Sequence, residues 1–170
     1  MWAPFIILLL FGGGLSYRVT RFTNIKCNVL NPSYCAFEKC HLKMLGRGIV
    51  GLNMRFKLLK GVLNNAKSVF FAKFNGYRPF MFNMTFDFCK FMQKSNTELS
   101  FQKIVFDALA KQSNINHTCP FLKELVVDNF VFKEDIFKFL PLPAGEYQLQ
   151  FIAGTDNIWM STLSVYALLE

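Results

Sequence analysis

Period-two alternation of apolar side chains governs what this chain can fold into. In Val50 to Leu58 the set Val50, Leu52, Met54, Phe56 and Leu58 alternates with Gly51, Asn53, Arg55 and Lys57. In Met81 to Cys89 the set Phe82, Met84, Phe86 and Phe88 alternates with Met81, Asn83, Thr85 and Asp87. Successive side chains of a strand point to opposite faces, so each pattern predicts a strand with one buried face. Further strands are predicted over Arg18 to Lys26, Ala36 to Leu45, Ala66 to Asn75, Leu122 to Asn129, Tyr147 to Ala153 and Trp159 to Leu168. Turn signals at Asn31-Pro32, Gly46-Arg47-Gly48, Asn64-Asn65, Asn75-Gly76 and Pro143 to Gly145 separate them. Many short strands at this spacing predict an all-β antiparallel sandwich or barrel. One segment departs from the pattern. Phe101, Ile104, Val105, Ala108 and Leu109 recur at helical spacing, with Asn96 as N-cap, Glu98 in the first turn and Lys111 in the last, which predicts an inserted amphipathic helix. A second helical turn is predicted around Lys133 to Leu140, ended by Pro141.

The first sixteen residues stand apart from this pattern. Trp2 to Leu15 is an apolar run of 14 residues, shorter than the roughly 20 needed to span a bilayer and suited to the core of a secretory signal. Gly14 and Ser16 place small residues before a cut after Ser16, although no Lys or Arg precedes the run. The expectation is a signal peptide over 1–16 and one domain over 17–170, secreted and extracellular. Hydrophobic residues make up 52% of the chain and charged residues 18%, which excludes a disordered protein. All five cysteines, Cys27, Cys35, Cys40, Cys89 and Cys119, lie beyond the leader, where an oxidising compartment favours disulfides. Five is odd, so at most two bridges form. If Cys89 and Cys119 pair, the closed loop stabilises the fold by roughly 3.5–4 kcal/mol on the chain-entropy account. Asn83-Met84-Thr85 and Asn116-His117-Thr118 are glycosylation sequons, and both asparagines are expected to face solvent.

Catalytic and cofactor chemistry finds little footing. Gly46-Arg47-Gly48-Ile49-Val50-Gly51 matches the spacing of a dinucleotide-binding turn, but the residues after it alternate as a strand, and the next acid is Asp87. The glycines read instead as a tight turn and a close backbone approach. The histidines are His41 and His117, and His117 lies inside a sequon. Glu134 and Asp135 are adjacent, so their side chains diverge rather than converge on a reacting atom. Cys35, Cys40 and His41 lack the spacing of a zinc ligand set. No catalytic residue, metal site or cofactor is therefore expected, and the chain reads as a non-enzyme.

Charge and aromatic content carry the remaining signal. Residues 18 to 94 hold 14 basic and 2 acidic groups, whereas 95 to 170 hold 5 and 9. A positive face can attract anionic lipid headgroups, a sulfated polysaccharide or an acidic receptor, or simply solvate a sheet. Nucleic acid is a poor partner, because no basic cluster is interleaved with aromatics outside the strand patterns. The 21 Phe exceed what a small core requires and either pack solidly or line a cavity between two sheets. Strand parity selects Val50, Leu52, Met54, Phe56, Phe82, Met84, Phe86, Phe88, Leu149 and Phe151 as candidate lining of a hydrophobic pocket. A space of roughly 300 Å³ or more between the sheets favours a ligand binder, and a smaller one favours a packed module.

The order of motifs adds a family resemblance. FTNIKC (Phe22 to Cys27), FEKCHLKMLGRGIVGLN (Phe37 to Asn53), FNGYRPFMFNMTFDFCKFM (Phe74 to Met92), SNINHTCP (Ser113 to Pro120) and FLPLPAGEY (Phe139 to Tyr147) resemble a large insect family of small secreted proteins of unknown function. That family looks like a branch of the ML (myeloid-differentiation-2-related) lipid-recognition superfamily. The resemblance implies an immunoglobulin-like sandwich whose sheets part at one edge to admit a lipid, carried without chemistry. It also implies that Cys27 and Cys40 match the family's first two cysteines and Cys89 and Cys119 its hairpin pair, with Cys35 the extra one; a smaller Cys35 to Cys40 loop stays open. Related insect branches are linked to chemosensation. The function expected is a secreted carrier of a hydrophobic small molecule or lipid, possible partners being a receptor or membrane surface. The alternative is an extracellular interaction module with a filled core.

Overall fold

The computed structural model describes residues 20–93, 100–121, 123–133 and 142–170. Eight strands and two helices occur among them: β1 (Thr20–Val29), β2 (Cys35–Gly46), β3 (Ile49–Leu58), β4 (Asn65–Lys73), β5 (Tyr77–Asp87), α1 (Phe88–Gln93), α2 (Phe101–Ala110), β6 (Glu124–Phe130), β7 (Gly145–Thr155) and β8 (Ile158–Leu169). All eight predicted strands are present, with ends displaced by a few residues. The signal peptide over 1–16 falls outside the described residues, as does the helical turn predicted over Lys133 to Leu140 apart from Lys133 itself.

Two antiparallel sheets form the sandwich, one of five strands in the order β1-β8-β7-β4-β5 and one of three in the order β2-β3-β6. Hairpin connections account for half of the neighbouring pairs: β2 with β3, β4 with β5, and β7 with β8. The alternation read from Val50 to Leu58 places Leu52, Met54 and Phe56 in the core, where Phe56 meets Phe37 across the sheet with ring centroids 5.2 Å apart. Gly46 to Gly48 form the β2–β3 turn, and Gly48 has φ +71°. A Cβ on Gly51 would lie 2.7 Å from Leu45 Cδ1 and 3.1 Å from the Asn129 Cα. The glycine-rich motif is thus a turn and a close strand contact.

Two readings of local structure change. The helix begins at Phe101 with Ser100 as N-cap, in extended backbone, its side chain accepting from the Lys103 N–H at 3.2 Å. Asn96 and Glu98 lie outside the described residues, and Lys111 is the C-cap residue. The strand read as far as Cys89 ends at Asp87, whose carboxylate accepts from the Lys90 N–H at 2.9 Å and turns the chain into α1. An Asp hydrogen-bonding the backbone three residues on starts a helix more effectively than it continues a ladder.

The sandwich is closed differently along its two edges. At one, β1 and β2 are joined by the Cys27–Cys40 disulfide, whose Cα atoms are 6.3 Å apart. At the other, β5 and β6 are the outer strands, and α1, α2 and the segment after α2 occupy the space beside them. The Cys89–Cys119 disulfide closes this excursion on itself. Asn114 fixes it to β6: its N–H donates to the Val126 carbonyl at 3.2 Å, and its Oδ1 accepts from the Val126 N–H at 2.8 Å.

A candidate apolar binding site

A cavity of about 170 Å³ lies between the sheets. Both sheets and α2 build its wall. β3 and β6 contribute Leu52, Met54, Phe56, Leu125, Val127 and Phe130. β7 and β8 contribute Leu149, Phe151, Leu163 and Val165, and α2 contributes Val105, Phe106 and Leu109. Phe88 is the hinge of the arrangement. It is buried at the start of α1, with ring centroids 5.2 Å from Phe121, 6.3 Å from Phe151 and 6.4 Å from Phe106.

Among the described residues no Asp, Glu, Lys, Arg or His lines the cavity, and the polar side chains there are Ser68, Gln102, Ser113, Asn114 and Ser161. Such a wall offers dispersion contacts and at most an isolated hydrogen bond. An ionised group placed inside would have no countercharge. The volume is smaller than the roughly 300–1,000 Å³ typical of pockets for drug-sized ligands, and close to the roughly 150 Å³ of apolar cavities that stay dry and accept a small hydrocarbon.

Seven of the ten residues selected by strand parity meet here: Leu52, Met54, Phe56, Phe86, Phe88, Leu149 and Phe151. The other three do not line the cavity. Val50 packs at the margin of the main core. Phe82 belongs to a second apolar cluster with Phe70, Leu142, Tyr147 and Leu169, stacked on Phe70 at 5.5 Å. Met84 is 43% exposed and accepts from Gln102 Nε2 through its sulfur at 3.0 Å. Phe82 and Met84 depart for one cause: the five-stranded sheet is wider than its three-stranded partner, so an inward-pointing residue on β5 has no strand above it. Parity tells the face and not what covers it.

The α2 wall escapes the parity rule for a related reason. The helical spacing of Val105 and Leu109 marks an apolar face, but nothing in the spacing says which part of the sandwich that face covers. Phe22, Ile115 and Phe132 also line the cavity, and strand parity does not select them. Asn53, read as outward and polar, is 7% exposed, and its side chain exchanges hydrogen bonds with Asn129 at 3.1 and 3.3 Å.

The cysteines resolve into Cys27–Cys40 and Cys89–Cys119, with Cys35 unbridged and buried. The Cys35 thiol donates to the Met160 carbonyl at 3.2 Å, and desolvation raises its pKa despite a hydrogen bond with Ser161. It is a buried, inert group in this setting. Asn83 on β5 and Asn116 after α2 are both exposed. His41 is exposed on β2, and His117 Nδ1 lies 2.8 Å from the Thr118 carbonyl. Among the described residues no three His, Cys, Asp or Glu side chains are grouped to hold a metal ion, and no helix is long and apolar enough to cross a membrane. Two disulfides are consistent with an extracellular protein.

No curated protein matches the chain. Residues 66–149, which run from β4 through both helices and β6 into β7, contain a domain that matches a family model described as a protein of unknown function, DUF1091.

Proposed function

We propose that this chain is a secreted, non-enzymatic binder of a slender, uncharged hydrocarbon ligand held between the sheets. The observation that carries the reading is the cavity wall, built chiefly from aliphatic and aromatic side chains, with no ionisable group among the described residues. An apolar chain gains roughly 25 cal/mol for each Å² removed from water, whereas a carboxylate buried there without a partner costs several kcal/mol. At about 170 Å³ the space suits part of a single chain and not a bundle of acyl chains. The leader-like run over 1–16, the two disulfides and the exposed sequon asparagines support secretion. The resemblance to the ML superfamily points toward carriage in the same way.

The cavity volume itself favours a second reading, an extracellular interaction module whose interior is nearly filled. Native mass spectrometry separates the two. Protein from a eukaryotic secretion host, delipidated and challenged with long-chain alkenes, fatty alcohols and fatty acids, is expected to retain alkene or alcohol. Fatty acid should bind at least tenfold more weakly at neutral pH. Val165→Phe, which projects a ring into the cavity, should abolish the adduct while the protein stays folded by circular dichroism. No adduct with any chain would leave the interaction module as the reading.

A further inference from the structure

One end of the sandwich carries a second, unrelated chemistry. Cys35, at the start of β2, reaches Met160 near the start of β8, and Phe22 near the start of β1 meets Phe130 opposite Leu52. β4 pairs with β7 from Asn65 opposite Gly154 to Ala72 opposite Tyr147. The β2–β3 and β4–β5 turns therefore leave the sandwich at the same end. Both tips are apolar and exposed: Met44 (67%) and Ile49 (48%) with Leu45 on one, and Phe74 (69%) on the other. Exposed Lys43, Arg47 and Arg78 flank them, and no carboxylate partners these three among the described residues. No Asp or Glu occurs between Lys39 and Phe86. Of the acids described at this end, Glu146 is held by Lys73 at 2.8 Å and Glu170 by Arg21 at 3.5 Å, while Asp128 is exposed on β6; Glu134 and Asp135 lie outside the described residues.

We propose that these two hairpin tips dock the protein on an anionic lipid surface, with Met44, Ile49 and Phe74 entering the headgroup boundary and Lys43, Arg47 and Arg78 meeting acidic headgroups. A narrow tip buries far less than the roughly 800 Å² per partner of a stable protein interface. A bilayer asks only for a few apolar side chains at the interface and a few cations beside them. The two tips supply both at one end of a rigid frame.

The test is flotation with vesicles of phosphatidylcholine, with and without about one third phosphatidylserine. The parent is expected to bind the mixed vesicles, to bind phosphatidylcholine alone about tenfold more weakly, and to be released by salt. Met44→Asp with Phe74→Asp, and separately Lys43→Glu with Arg47→Glu, should each lower binding about tenfold, with unchanged thermal melting because all four sites are exposed. Ile49→Trp gives an independent readout: its emission should shift to the blue on mixed vesicles, while Trp159 in the unsubstituted protein should not shift. Equal binding to both vesicle types, variants that bind like the parent, or no blue shift at position 49 would each overturn the proposal. So would self-association that the Asp variants abolish in a protein that ignores vesicles. Hydrocarbon binding in the cavity is read separately and stands or falls on its own.

Discussion

The two edges of this sandwich solve the same closure problem in opposite ways. Where β1 meets β2, strand is tied to strand by Cys27–Cys40, and Cys35 anchors the start of β2 to β8 through its hydrogen bond to the Met160 carbonyl. Where β5 faces β6, the gap is filled by a helical excursion whose disulfide, Cys89–Cys119, joins the excursion to itself and to neither sheet edge across the gap. That excursion is held unequally. On the β6 side Asn114 and Gln112 make several backbone hydrogen bonds, whereas α2 meets β5 through Gln102 and the Met84 sulfur. A sulfur acceptor is a weak partner. The cavity lies behind the unequally held wall, so the difference makes α2 and its β5 side the less firmly tied part of the frame.

Phe88→Ala is the strongest way to break this comparison. The ring is buried and packs on Phe106, Phe121 and Phe151, joining both helical segments to β7. Its removal should lower stability by about 3–5 kcal/mol in denaturant melts. A loss below about 1 kcal/mol would mean that the helical wall is not integral to the core. Removing the disulfides comes next. Cys89→Ala with Cys119→Ala should cost roughly 3.5–4 kcal/mol, and Cys27→Ala with Cys40→Ala about 3 kcal/mol, in keeping with loop length. The two losses should differ in kind. Hydrogen exchange should accelerate mainly over residues 88–121 in the first variant and along β1 and β2 in the second. Acceleration over 88–121 in both would contradict independent closure of the edges.

Much of this frame is legible in the chain because period two is a direct consequence of pleating. Val50 to Leu58 announces β3, and alternation together with the turn signals between segments locates all eight strands. What escapes is whatever depends on the opposing element. Phe82 and Phe86 share parity, yet one joins the Tyr147 cluster and the other lines the cavity. Asn53 looks like an outward polar residue until Asn129, with φ +50°, turns its backbone toward it. The short α1 hides because Phe86 and Phe88 continue the strand alternation across its boundary. The cap at Ser100 rather than Asn96 reflects a backbone angle that helical spacing alone does not set.

Ser100→Ala sharpens the contrast at smaller scale. It removes the acceptor for the Lys103 N–H and should cost about 1 kcal/mol. Because α2 forms one wall of the cavity, the same variant should also speed ligand release in a displacement assay. Asn24→Ala removes a local side-chain contact to the Ile25 N–H on β1 and should leave release unchanged. Equal effects of the two substitutions on release would remove the special role of the helical wall.

The smallest expected effect is a pH dependence on the disulfide side. The Lys57 ammonium, 2.6 Å away, holds the Glu38 carboxyl below its ordinary value, chiefly by hydrogen bonding. Lys73 does the same for Glu146, with Tyr77 as a further donor. A carboxyl whose folded pKa is depressed contributes stability that is fully present above its unfolded value and is lost as pH falls through the folded one. The window therefore lies below about pH 4.5. Lys57→Met should lower the melting temperature slightly at pH 7, and the gap between variant and parent should close as pH falls toward 2. Both partners are solvent-exposed, so the gap should also shrink in high salt. A gap independent of pH would assign the effect to the lost packing of the Lys57 stem, and the β2–β3 face would then owe nothing to this ion pair.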